Sequence, residues 1–400
     1  MIEQELKQAL AERARQSLYR NRKVMASAQG SDVSLSSQAH DGEFINFASN
    51  DYLGLANHPD VTKAFVDSAN KFGVGSGASH LVIGHHQEHH LLEQELAEFT
   101  GRARALVFSN GYAANLSCLN VLLGQGDLVA EDKLNHASLL DGGLSSGAKF
   151  RRYIHNDITS LDKTLSLPGN RKIVVTDGVF SMDGDCAPLA DIITTAKNHD
   201  AWLMVDDAHG FGVLGKTGAG LCEQLQLSEQ QVPILVGTFG KAFGTYGAFV
   251  AGSETLIETL IQFARPYIYS TALPPAIAAA TRQSLKIIQQ GAELREKLQS
   301  LIQLFRTRVS ALDFDLMESN TAIQPLVIGD EQSMLNIAEF LKANGILVGA
   351  IRPPTVPKGT ARLRITLTAA HTPEQVEKLT DLLAQAYDQF CSQANESLAE

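Results

Sequence analysis

Lys241 stands in VGTFGKAFGTYGA, residues 236–248, with no carboxylate within four residues on either side. Ammonium is strongly hydrated, so a lysine among glycines and aromatic rings is either a solvated turn residue or a chemical amine. Desolvation lowers a lysine's pKa readily, which is how lysines become nucleophiles and Schiff-base formers. The flanking glycines would let a flat ligand approach the backbone. Asp206 and His209, in LMVDDAHGFG, follow an apolar run that reads as a strand. A carboxylate at a strand end with a histidine just beyond it suits a metal, a hydrolytic triad or a cofactor. A triad is set aside for want of a nucleophile elbow between a strand and a helix. Thr238 and Lys241 follow the next apolar strand. Acid, histidine, hydroxyl and amine at neighbouring strand ends point to pyridoxal 5'-phosphate (PLP). The amine makes a Schiff base with its aldehyde, the carboxylate keeps its ring nitrogen protonated, and hydroxyl and backbone donors take its phosphate.

A second group fits the same cofactor. SNGYAAN, from Ser109, follows the strand-like RALVF and opens a helix. Gly111 and Tyr112 would present N–H donors there, a phosphate site. His136, in LNHASLLDG, precedes another helix and is read as a ring stacked on a flat cofactor. Two glycine-rich strings match dinucleotide fingerprints but fail on context. GVGSGA follows a helical segment, and GFGVLG is followed by KTGAG, whose glycines spoil the required helix N-terminus. HHQEHH, His85 to His90, sets two histidine pairs one helical turn apart, but Gln87 stands where a zinc-protease motif has Glu. No third ligand is near in sequence, so it reads as a solvated helix start and no metal is expected.

The elements that must hold these groups alternate. From about residue 50 to 285, RALVFS, DLVAED, KIVVTDG, AWLMVDD, PILVGT and GAFVAG read as strands with helices between most of them. That alternation predicts a mostly parallel sheet covered by helices on both faces. Residues 3–24 read as one amphipathic helix, and SDVSLSSQAHDGEFINFAS as a hairpin turning at Asp41-Gly42. A long helix is expected over 283–309, then strands at IQPLVIGD, GILVGAIR and ARLRITLTA. A last helix opens at Thr372, with Pro373 in its first turn and Gln375 completing a capping box. The reading is thus an α/β protein: an N-terminal helix and hairpin segment (1–49), a large α/β domain (50–285) and a smaller α+β domain (286–400).

A chain of 400 residues with 44% hydrophobic content can bury a sizeable core. Its net charge of −11 argues against nucleic acid as a partner. Cys118, Cys186, Cys222 and Cys391 fit neither a zinc site nor a disulfide framework and read as cytoplasmic thiols. The N-terminus lacks a signal peptide's apolar run, and no stretch is long enough to span a membrane.

NFASNDYLGL, GSGASHLVIG, NHASLLDG, GVFSMDGD, VDDAHGFGVLG and TFGKAFG, in this order, resemble the α-oxoamine synthases. These are fold-type I PLP-dependent transferases that condense an amino acid with an acyl thioester and release CO2. The resemblance runs over about residues 5–390. Within the family, AIRPPTVPKGTARLRITLTAAH (Ala350 to His371) resembles the branch that uses L-alanine and a pimeloyl thioester on acyl carrier protein or coenzyme A. The alternative is the branch that uses glycine and an acetyl thioester. The resemblance implies that Lys241 carries PLP, Asp206 pairs with its ring nitrogen, His209 bonds its ring hydroxyl and His136 stacks on the ring. Ser181 and Thr238 help hold the cofactor, with Gly111 and Tyr112 at its phosphate. Arg364 is implied to bind the amino acid's carboxylate, Arg20 and Thr355 to border the acyl site, and Asn50 to lie near the catalytic centre. Thr271, in YSTALPP, is implied to reach the phosphate of a neighbouring subunit in a homodimer with shared active sites.

Overall fold

The hairpin forms as its alternating pattern predicts: β1 (Asp32–Leu35) lies antiparallel to β2 (Gly42–Phe47), with Val33 opposite Phe44. The computed structural model describes residues 2–16, 18–19, 21–36 and 42–391, so Asp41 of the expected turn lies outside the described residues. The six apolar runs become β3 (Arg104–Phe108), β4 (Leu128–Asp132), β6 (Lys172–Asp177), β7 (Trp202–Asp206), β8 (Ile234–Thr238) and β9 (Ala248–Gly252). A further strand, β5 (Lys149–Tyr153), completes a sheet of order β3-β9-β8-β7-β6-β4-β5. Strands β5, β4, β6, β7 and β8 run parallel, while β9 is antiparallel to both its neighbours. Val174, Val175, Met204, Val205 and Leu235 are buried, as strands covered on both faces require.

A second sheet holds β10 (Asp315–Leu316), β11 (Ile323–Gly329), β12 (Ile346–Ile351) and β13 (Ala361–Thr366) in the order β1-β2-β12-β13-β11-β10. Strand β2 runs parallel to β12, so the N-terminal hairpin shares a sheet with the C-terminal strands.

Two helices differ from expectation. The first spans Ile2–Arg15 rather than 3–24 and buries no residue, so no packing fixes where it stops. Its first-turn acids and last-turn arginines complement the helix dipole. The long helix expected over 283–309 is two, Pro275–Gln290 and Ala292–Val309, broken at Gly291. A Cβ at Gly291 would stand 2.8 Å from the Ile287 carbonyl, so only glycine fits that corner. The last helix, Pro373–Phe390, has the expected capping box of Thr372 and Gln375. No helix among the described residues is long and apolar enough to cross a membrane.

Candidate active site

The polar residues converge beyond the carboxyl ends of the parallel strands, where such sheets place their chemistry. Asp206 ends β7 and pairs in register with Asp177, which ends β6. Lys241 follows β8 on a turn closed by the Gly244 N–H, which donates to the Lys241 carbonyl at 2.8 Å. A cavity of about 180 Å3 lies between them, bordered by Gly111, Tyr112, His136, His209, Thr238 and Lys241 and, deeper in the chain, by Asp206, Asp177 and Asn115.

Asp206 and the two histidines each have a neutral partner. Asp206 Oδ2 accepts from Asn115 Nδ2 at 2.7 Å, and Oδ1 from the Ala208 N–H at 3.0 Å. His136 caps the helix Ala137–Ser145, its own N–H donating to Asp177 Oδ2 at 2.7 Å. Its Nδ1 lies 2.7 Å from Ser138 Oγ, which Asn115 Nδ2 also reaches at 2.9 Å. His209 Nδ1 stands 2.5 Å from Tyr52 Oη. Thr238 Oγ1 donates to the Gly247 carbonyl and accepts from the Gly240 N–H.

Burial sets the protonation states. It pushes the Lys241 amine down to about 8, against the opposing pull of Asp206 and Asp177. A lysine so placed is partly neutral near pH 8, the form that attacks a carbonyl. Burial raises Asp177 well above the carboxylate range, and the charge of Asp206 adds to it. The pair therefore carries one negative charge more readily than two. Burial lowers His136 and holds His209 well below its ordinary range, with the Lys241 charge assisting at His209.

A guanidinium stands behind Tyr52. Arg364, buried on β13, donates from Nε to the Ser181 carbonyl at 2.6 Å, from Nη1 to Thr366 Oγ1 at 3.0 Å and from Nη2 to Asn50 Oδ1 at 3.1 Å. The expected residues Asn50, Ser181 and Arg364 thus meet each other, Ser181 through its carbonyl. Thr355 lines a separate groove of about 530 Å3 with Tyr19, Lys23, Arg352 and Pro354. Thr271 is exposed and bridges to Ser79. Neither borders the cavity, and Arg20 lies outside the described residues. One G-x-S-x-G string does occur, Gly143 to Gly147, but it closes a helix instead of turning from a strand into one, so it is no nucleophile elbow.

Sequence reasoning missed Tyr52, Asn115, Ser138 and Asp177. Asp177 carried a signal, since KIVVTDG ends an apolar strand on an acid just as LMVDD does. Tyr52 and Asn115 carried none, because both meet their partners across long chain separations.

The cavity fits PLP on its own terms. Lys241 Nζ makes no hydrogen bond among the described residues, and both Asp206 oxygens keep lone pairs. The Gly111 and Tyr112 N–H groups open the helix Gly111–Leu122 and lack intrahelical acceptors. Nothing lies within 4 Å of where a Gly111 Cβ would stand, which leaves room for an anion at those donors.

The family model for aminotransferases of class I and II matches residues 42–383. With that match, the fold and cavity define a fold-type I PLP-dependent enzyme. The "8-amino-7-oxononanoate synthase" of Cellvibrio japonicus is 58% identical over 385 residues, 96% of each chain. Among solved structures, S. paucimobilis serine palmitoyltransferase with a bound PLP-myriocin aldimine superimposes with a TM-score of 0.90 at 32% identity, covering 96% of this chain and 97% of that one. The 8-amino-7-oxononanoate synthase of Francisella tularensis gives 0.77 at 33% identity, covering 86% and 98%. The chain belongs to the aminotransferase class I and II family and, within it, to the 8-amino-7-oxononanoate synthases.

Proposed function

We propose that this enzyme condenses L-alanine with a pimeloyl thioester to give 8-amino-7-oxononanoate, CO2 and the free thiol carrier, a step of biotin formation. The observation that carries the reading is the buried, unbonded Lys241 amine facing Asp206, with Arg364 behind it. Lys241 would hold PLP, Asp206 would keep a proton on its ring nitrogen, and the Gly111 and Tyr112 N–H groups would take its phosphate, joined by Thr238 once its hydroxyl turns from the Gly247 carbonyl. PLP, when bound, supplies the electron sink that stabilises negative charge at the amino acid's α-carbon.

The chain's own residues do the rest. Arg364 binds the alanine carboxylate in a fork-on-fork pairing, which aims the α C–H bond. Lys241 Nζ takes the α-proton and later returns it, a general base whose lowered pKa suits neutral pH. The α-carbon bonds to the acyl carbonyl carbon as the C–S bond breaks, and the alanine carboxylate then leaves as CO2. His136 hydrogen-bonds the new ketone while those electrons arrive. The groove at Thr355, walled by Pro353 and Pro354 with Lys23 and Arg352 at hand, takes the acyl chain. Asn50 positions Arg364 through its Oδ1.

We also propose a homodimer with shared active sites, a cytoplasmic setting consistent with four free thiols, and a division at about residues 49 and 285. The test is product mass. L-alanine with pimeloyl thioester should yield 8-amino-7-oxononanoate with the higher kcat/KM. Preference for glycine with acetyl thioester would transfer the chain to the glycine-using branch.

A further inference from the structure

Five histidines and Glu93 crowd the entry of the helix Gln87–Thr100, away from the cavity just described. Sequence reasoning finds no third ligand beside HHQEHH, but it passes over Glu93, three residues past His90, and the fold adds His80. The helix begins at Gln87, so His85 and His86 precede it and their ring spacing is not helical. His86 caps the helix, and His89 answers it, accepting from the His86 N–H at 2.9 Å while its Nε2 lies 2.7 Å from the Leu273 carbonyl. Those two rings are occupied by the fold.

His85, His90 and Glu93 are placed differently. One ligand atom from each lies within 4.8 Å of the other two. Ligands ~2.1 Å from a tetrahedral ion stand ~3.4 Å apart, so small side-chain rotations close the set. His90 and Glu93 share one helix face at i and i+3. His85 Nε2 points at Glu93 Oε2 from 3.9 Å. Their remaining atoms are already oriented. Glu93 Oε1 accepts from the Val107 N–H at 3.0 Å. His85 Nδ1 lies 2.9 Å from His80 Nδ1, a contact that requires one proton between two nitrogens. With that proton on His85 Nδ1, its Nε2 presents a lone pair toward Glu93. His80 is itself stacked on Tyr267, ring centroids 4.8 Å apart at 11°. Metal-binding histidines and carboxylates are oriented by outer partners of this kind. A bland solvated histidine run would not need them.

We propose that His85 Nε2, His90 and Glu93 Oε2 bind one divalent transition-metal ion of the zinc type, with His80 and the Val107 N–H as orienting partners and water completing the shell. Two imidazoles and one carboxylate favour zinc, nickel or copper over magnesium or calcium, which prefer all-oxygen sets. The site is made by one chain, and His85 and His90 are open to solvent in it.

The test uses PLP-loaded enzyme stripped with chelator, dialysed and titrated with Zn2+ by calorimetry. One ion should bind per chain. His90→Ala changes an exposed helix position and should fold normally, and it should abolish that binding step. His80→Phe keeps every proposed ligand and should weaken binding by about 10–100-fold. Co2+ should give intense visible d–d bands in wild type that are absent from His90→Ala. Equal Zn2+ stoichiometry and affinity in wild type and His90→Ala would overturn the assignment, as would the absence of any binding step in wild type.

Discussion

Asp206 has one oxygen held by an uncharged amide and the other by a backbone N–H, and a lysine amine beyond it. Neither of its hydrogen-bond partners is charged, and once the amine is engaged with PLP the carboxylate is left to hold a proton on a ring nitrogen. Asp206→Asn should therefore still load PLP, because Lys241 and the phosphate donors remain, yet lose roughly 100-fold or more in turnover. Absorbance of bound PLP and product mass read the two effects separately. Near-wild-type turnover would show that another group supplies the proton. A second residue acts on stability. His155 Nδ1 lies 3.0 Å from Asp132 and its Nε2 2.9 Å from Asp185, and although burial opposes the charged ring, those carboxylates raise its pKa to about 10. A folded pKa above the unfolded ~6.5 stabilises fully below pH 6.5, and that contribution is lost as pH rises through 10. The urea midpoint of wild type should exceed that of His155→Gln at pH 6.5, and the gap should shrink by pH 10. A gap independent of pH would mean that the ring is bound neutral.

Among the elements, the turn after β8 decides where the amine points. Gly244 has φ +65°, and a Cβ there would stand 2.3 Å from the Ala56 N. Ala56 N in turn donates to Asp51 Oδ2, so that backbone is not free to retreat. Gly244→Ala should cost more than the ~1 kcal/mol of an unfavourable backbone alone and weaken PLP retention, as thermal melts and cofactor absorbance would show. Elements of this kind were partly legible. Apolar runs ending on Asp206 and Thr238 announced both the strands and the chemistry at their ends, because a covered parallel strand must be apolar until it leaves the sheet. Strand β5, KFRRY, escaped notice because it is an edge strand with Arg151 and Arg152 exposed. The first helix was drawn too long because its polar periodicity runs on while nothing buried marks its end. Gly291 could be read as a weak point but not as a corner, since the Ile287 carbonyl it avoids is visible only in three dimensions. Tyr52, which reaches His209 across the molecule, had no local pattern to reveal it.

At the scale of the whole molecule, a single chain leaves several large apolar side chains open. Val74, Val82 and Ile83 are 85%, 74% and 83% exposed, and Leu6 and Leu10 lie open on the first helix. Val82 and Ile83 adjoin in sequence, and large apolar side chains left this open favour the homodimer proposed above. The segment that carries these two is tied to the next one: Ser79 bridges Thr271, and the Ala272 N–H donates to the Ala78 carbonyl at 3.0 Å. Thr271 therefore sits on the same rim, exposed and away from its own chain's cavity. A two-fold partner seated on this rim would receive Thr271 at its phosphate donors and return its own. Sedimentation should give a dimer, and Val82→Asp with Ile83→Asp should give monomers that retain PLP poorly. A sharper measurement mixes two inactive chains. Lys241→Ala lacks the amine, and Thr271→Glu sets a carboxylate against a phosphate. In the proposed two-fold dimer each site would draw Lys241 from one chain and Thr271 from the other. Random exchange makes about half the dimers mixed, each with one intact site, so about a quarter of wild-type activity should return. Should both defects fall in one chain's own site, mixing would restore nothing, and Thr271 would have to act within its own subunit.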